Sequence, residues 1–140
     1  MANPTLQDVI EAIQDKVIAT GIKYAPDYAP STLPGQWPAV ITYPTNGRAV
    51  TGDAGIAYYL HNIHCSIHYP PVDFSNTIKI LVPYIETIIT AITDDPWLSN
   101  NCEPFTAISY VIGPMKYAEM DTMGIRFTIE NVKLYPYGKQ

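Results

Sequence analysis

Three histidines fall within eight residues of the stretch "LHNIHCSIHY": His61, His64 and His68, with Cys65 and Ser66 between them. Imidazoles so closely grouped invite a metal site or a general base. The surrounding residues alternate in the two-residue period of a strand, and that period decides the geometry. His61 then points to the opposite face from His64 and His68, and those two stand about 13 Å apart at a rise near 3.3 Å per residue. They cannot share one ion unaided, so they read as histidines on a sheet surface or interface. Ser66 points away from Cys65, and Cys65 lies on the core side, where a thiol is inert packing. The acidic pairs Asp94-Asp95 and Glu119/Asp121 fall in loops, and no GxGxxG or GxxxxGK[ST] phosphate cradle occurs. No catalytic residue, cofactor site or metal site is assigned, and the chain is read as a non-enzyme.

The strand that carries the histidines covers 56–69. Tyr59, His61, Ile63, Cys65, Ile67 and Tyr69 make its core face; Tyr58, Leu60, Asn62, His64, Ser66 and His68 make a more polar face. Ahead of it, residues 5–20 read as an amphipathic helix, with Leu6, Val9, Ile10, Ile13, Val17 and Ile18 at helical spacing. Asn3 or Thr5 caps it, and Gly21 follows it. A second helix starts at Asp73 or Ser75 and carries Ile78, Leu81, Val82, Ile85, Ile88, Ile89 and Ile92; Pro83 inside it predicts a kink or break near 79–83. Strands are expected over 39–43, 105–113 and 124–135. Pro38 and Pro44 should bound the first, Gly113-Pro114 should turn a corner after the second, and 44–55, with Asn46-Gly47, should be a loop. "MKYAEMDTM" reads as an extra edge strand or a long turn. The expected fold is one α+β domain over 1–140, with a largely antiparallel sheet of about four strands and two helices on one face.

"YAPDYAPSTLPGQWPAV" completes the picture. Pro26, Pro30, Pro34 and Pro38 recur every fourth residue, so about 22–38 must be an extended, polyproline-like arm. Charged residues make up only 15% of the chain, against a typical share of about 25%. Eleven tyrosines and two tryptophans outnumber three phenylalanines, a bias toward aromatics that suit interfaces. An arm whose shape is set before contact can lay such aromatics on a neighbour at low ordering cost. The candidates for subunit contact are Tyr24, Pro26, Tyr28, Pro30, Pro34, Trp37, Arg48, Asp53 and Tyr58, with Tyr59 beside them.

The net charge is −5, and the eight basic residues are scattered with no two adjacent. That excludes a basic stripe for gripping phosphates. No apolar run approaches the ~20 residues that cross a bilayer, and "MANPTLQDV" lacks a charged-then-apolar leader. Cys65 and Cys102 have no disulfide or zinc spacing and are expected as free thiols.

The phrases "LQDVIEAIQDKV", "KYAPDYAPSTLPGQWPAVITYP", "LHNIHCSIHYPPVDF", "LVPYIETIITAI" and "SYVIGPMKYAEMDTMGIRFTIENVKLY" together resemble the tail terminator proteins of long-tailed bacteriophages, from Leu6 to about Tyr135. The resemblance implies a ring, typically of six copies, that caps the tail tube, stops its growth and joins the tail to the head's neck proteins. It implies the tube protein and the connector or neck proteins as partners, and genomic DNA passing through without specific binding. It places the chain in the virion, and in the host cytoplasm during assembly. Another neck component or a tail-tube subunit is the nearest alternative. A small α+β ligand-binding or metal-dependent enzyme domain using His61, His64 and His68 is the alternative from another class.

Overall fold

The computed structural model describes residues 3–33, 35, 37–71 and 74–136. Helix α1 spans Leu6–Ile18. Thr5 starts it with a capping box: its hydroxyl accepts from the Asp8 N–H, and the Asp8 carboxylate accepts from the Thr5 N–H. Val9, Ile10, Ala12, Ile13 and Val17 form its buried stripe. Gly21 follows the end with φ +95°, a backbone shape that favours glycine.

Strands β1 (Ala39–Gly52), β2 (Gly55–Tyr69), β3 (Ala107–Tyr117) and β4 (Met120–Leu134) form one antiparallel sheet in the order β1-β2-β4-β3. Helix α2 (Phe74–Thr93) connects β2 to β3. It lies over β4, and α1 lies over β1 and against α2. The α+β fold with both helices on one face is therefore present. Its main core joins Val9, Ile13 and Val17 of α1, Leu81, Ile88 and Ile92 of α2, Ile63, Cys65 and Ile67 of β2, and Ile125, Phe127 and Ile129 of β4. Each large side chain removed from water there contributes about 1.5–3 kcal/mol.

Four expectations are corrected. First, 44–55 is not a loop: β1 continues through it and pairs with β2 as far as Gly52 opposite Gly55. Pro44 is harmless because β1 is an edge strand. Val40 turns its N–H outward to the Tyr24 carbonyl, and Pro44 lies four residues on, at the same outward parity, where no ladder donor is needed. The register slips just after it, between Pro44 and Asn46. Asn46-Gly47 makes no turn; Gly47 is a close-approach glycine, since a Cβ there would sit 2.6 Å from the Leu60 carbonyl oxygen. The true turn is Asp53-Ala54.

Second, α2 runs unbroken through Pro83. Pro83 is exposed, so the missing donor leaves its carbonyl partner on the watered side of the helix. Third, Gly113-Pro114 is no corner: β3 passes through both residues and reaches Tyr117. It too is an edge strand, and Gly113 adopts φ +149°. "MKYAEMDTM" is divided between β3 and β4 around an Ala118-Glu119 turn. Fourth, the more polar face of β2, read as a sheet surface, is covered within the chain itself. The arm lies over the second face, where Leu33, Ala39, Ile41 and Tyr117 are buried with Tyr24, Trp37 and Tyr43 against them.

Candidate subunit interface

The arm is moored along its length. Tyr24 bridges to Ala39 in parallel and extends the sheet edge by one residue pair. Gln14, fully buried on α1, is the knot beneath it. Its Nε2 donates to the Pro26 carbonyl at 2.7 Å and the Val40 carbonyl at 3.0 Å, and its Oε1 accepts from the Thr42 hydroxyl. Gln7 Nε2 donates to the Asp27 carbonyl at 2.6 Å, and the Tyr117 hydroxyl donates to the Pro30 carbonyl.

These bonds sort the interface candidates. Tyr24 and Trp37 put their rings into the chain's own second cluster. Pro26 and Pro30 serve through their carbonyls. Tyr28, 64% exposed, is the arm aromatic left facing outward. Pro34 lies outside the described residues. Arg48 and Asp53 are exposed on the β1–β2 hairpin, Arg48 beside a shallow recess shared with Asn46, Leu60 and Asn62. Tyr58 is half-buried with the Lys133 ammonium 4.2 Å from its ring centre. Lys133 is itself held by Glu103 at 3.3 Å. The Tyr135 hydroxyl donates to that carboxylate at 2.7 Å and, ahead of Lys133, holds it below the usual carboxylate range. Tyr59 stacks on His61, ring centres 5.6 Å apart.

The histidines divide as strand parity requires. His61 lies beside Pro4, Thr5 and Leu6 on the helix side. His64 packs edge-on to Tyr43, and His68 packs edge-on to Tyr117, on the arm side. Among the described residues no three His, Cys, Asp or Glu side chains come together to hold a metal ion. Both cysteines are free, and burial pushes the Cys65 and Cys102 thiols up to about 11.

His68 titrates far from its ordinary range. Burial first, and the Arg126 charge second, push it from 6.5 down to about 4. The unfolded chain therefore takes up a proton that the folded chain refuses. Stability is full above pH 6.5 and falls as pH drops toward 4, by about 3 kcal/mol at the lower end. His64 is lowered by the same two causes and adds in the same direction. Urea midpoints at pH 7 and pH 4 should diverge strongly for the native chain and much less for His68→Asn.

Gln14, Thr42, Tyr117 and Arg126 are the residues that sequence reasoning passed over. Two carried a signal: Gln14 sits among apolar residues at the buried spacing of α1, and Arg126 is a charge inside the apolar strand "GIRFTI". Among the described residues no helix is long and apolar enough to cross a membrane. No family model matches the chain, and no curated protein matches it.

Proposed function

We propose that the chain is a structural virion protein of a long-tailed bacteriophage, a tail terminator that closes into a ring on the tail tube and joins the tail to the neck. The observation that carries this reading is the sheet's pair of unlike open edges. Among the described residues, the β1 edge is covered by Tyr24 at its start and then runs open along the hairpin with Arg48 and Asp53. The β3 edge, at the other end of the order, presents Val111, 71% exposed. Free edges are pairing templates. Two different edges on opposite sides favour head-to-tail contact, which closes into a ring when the rotation per copy allows.

Tyr28, exposed on the arm, is the aromatic anchor of the contact. The arm's role becomes that of a brace: it stiffens the β1 edge and displays Tyr28, while Tyr24 and Trp37 are held at home. Phe74 and Val82 on α2, both exposed, give apolar surface for the tube protein or the neck proteins. The net charge of −5 suits a passage that lets DNA slide by unheld. The resemblance of the sequence to tail terminators supplies the biological setting.

The test is assembly with and without the protein. Particles made without it should have overlong tubes, or tails that never join heads. Tails of normal length joined to heads would refute the proposal.

A further inference from the structure

Across the arm-side face of the sheet, Ile41, Ser66, Arg126 and Val111 lie abreast on β1, β2, β4 and β3. His64 and His68 flank Ser66 at the adjacent same-face positions, each about 7 Å along the strand. Four buried polar atoms here have no hydrogen-bond partner among the described residues: His64 Nδ1, Ser66 Oγ, His68 Nε2 and Arg126 Nε. Ser66 is wholly buried and His68 is 2% exposed. Each such orphan costs about 1–3 kcal/mol, and more when charged.

The charge at this place is uncompensated as well. The ion pairs among the described residues are Lys16–Asp95, Lys116–Asp121 and Lys133–Glu103, so Arg126 is in none. The same-face carboxylate of β4, Glu130, stands four residues on, about 13 Å away. The aromatic rings packed against the histidines are those of Tyr43 and Tyr117. The Arg126 charge lowers both His64 and His68, so all three groups share one cationic field.

We propose that this cluster is an oxyanion site, taking a phosphate-class or carboxylate-class group against Arg126 and Ser66. Arg126 supplies the charge, and its guanidinium suits the planar fork of such oxygens. The Ser66 hydroxyl is a second donor. His68 Nδ1 lies 2.9 Å from the Thr122 hydroxyl. When Thr122 donates in that bond, the imidazole proton is on Nε2, the unpartnered nitrogen. A cation would meet Arg126 first and be repelled. The exposed end of this row is on β3, at Ser109 and Val111. The site is a property of the single chain and does not depend on ring assembly.

The experiment is a titration of the full chain with inorganic phosphate, and separately with acetate, each at ionic strength matched by sodium chloride. The readouts are the thermal midpoint and the imidazole resonances of His64 and His68. Saturable rises in the midpoint, with both histidines shifting, are expected for at least one ligand, and the stronger responder names the class. Arg126→Gln should weaken the response at least tenfold, and Ser66→Ala several-fold. No response to either anion beyond that to chloride would overturn the site, as would an equal response in Arg126→Gln. If that variant does not fold, histidine resonances of the native chain that stay still on titration overturn it equally.

Discussion

Replacing Gln14 with leucine should free the arm from the sheet while leaving α1 folded. The side chain bonds three groups well beyond its own helix: the carbonyls of Pro26 and Val40, and the Thr42 hydroxyl. Leucine fills similar space and suits a helix at least as well, so the helix itself loses nothing. The three orphaned groups each carry a desolvation cost of about 1–3 kcal/mol. Pro26 is half-exposed and can recover a water, and the leucine regains some apolar burial. A net loss of about 3 kcal/mol is the expected result, read from the urea midpoint. Hydrogen exchange should locate it: amides near Tyr24 and Val40 should lose protection, while those of β2 and β4 keep theirs. An unchanged midpoint with a protected Val40 amide would mean that Gln14 is a passenger.

Gly124→Ala should be the more damaging change. Gly124 lies between His68 on β2 and Gly113 on β3. A Cβ there would stand 1.8 Å from the Ile67 carbonyl oxygen and 2.8 Å from the Met115 methyl carbon. The methionine tip can swing aside; the backbone oxygen of a central strand cannot. Relief requires β2 and β4 to part next to Ile125 and Ile67 in the main core. A loss above about 4 kcal/mol is expected, at the extreme of single substitutions, and with it a failure to accumulate as folded protein. Gly47→Ala is the informative contrast. Its Cβ would also meet backbone, the Leu60 oxygen at 2.6 Å, but Gly47 is exposed on an edge strand that can bow outward. A midpoint lowered by less than half as much would support that difference.

The regular elements could be read because local chemistry and burial agree there. Thr5 and Asp8 mark the start of α1, and the 3.6-residue stripe from Val9 to Val17 marks its buried side. Alternation through Ile63, Cys65 and Ile67 places the core face of β2. The β1–β2 hairpin was hidden because its signs are local and its causes are tertiary. Pro44 and Asn46-Gly47 spell a loop to any window of a few residues. Only the edge position of β1 makes Pro44 harmless, and only the nearness of Leu60 explains Gly47. Gly113-Pro114 misleads in the same way on the other edge. The prolines from Pro26 to Pro38 announce an extended segment but not its destination. Alternation likewise gives β2 a second face without saying that the arm covers it, which is why His64, Ser66 and His68 read as outward-facing. Of the interface candidates, Tyr28, Arg48 and Asp53 are exposed, whereas Tyr24 and Trp37 pack against the second core, a use that the proline spacing does not display.

Electron cryomicroscopy of tail tubes mixed with the purified chain tests ring closure through unlike edges most directly. The predicted image is a closed ring on one tube end, with the β1 edge and Tyr28 of each copy against the β3 edge of the next. Bare tube ends beside free protein would contradict it, as would a ring whose copies touch while both edges stay uncovered.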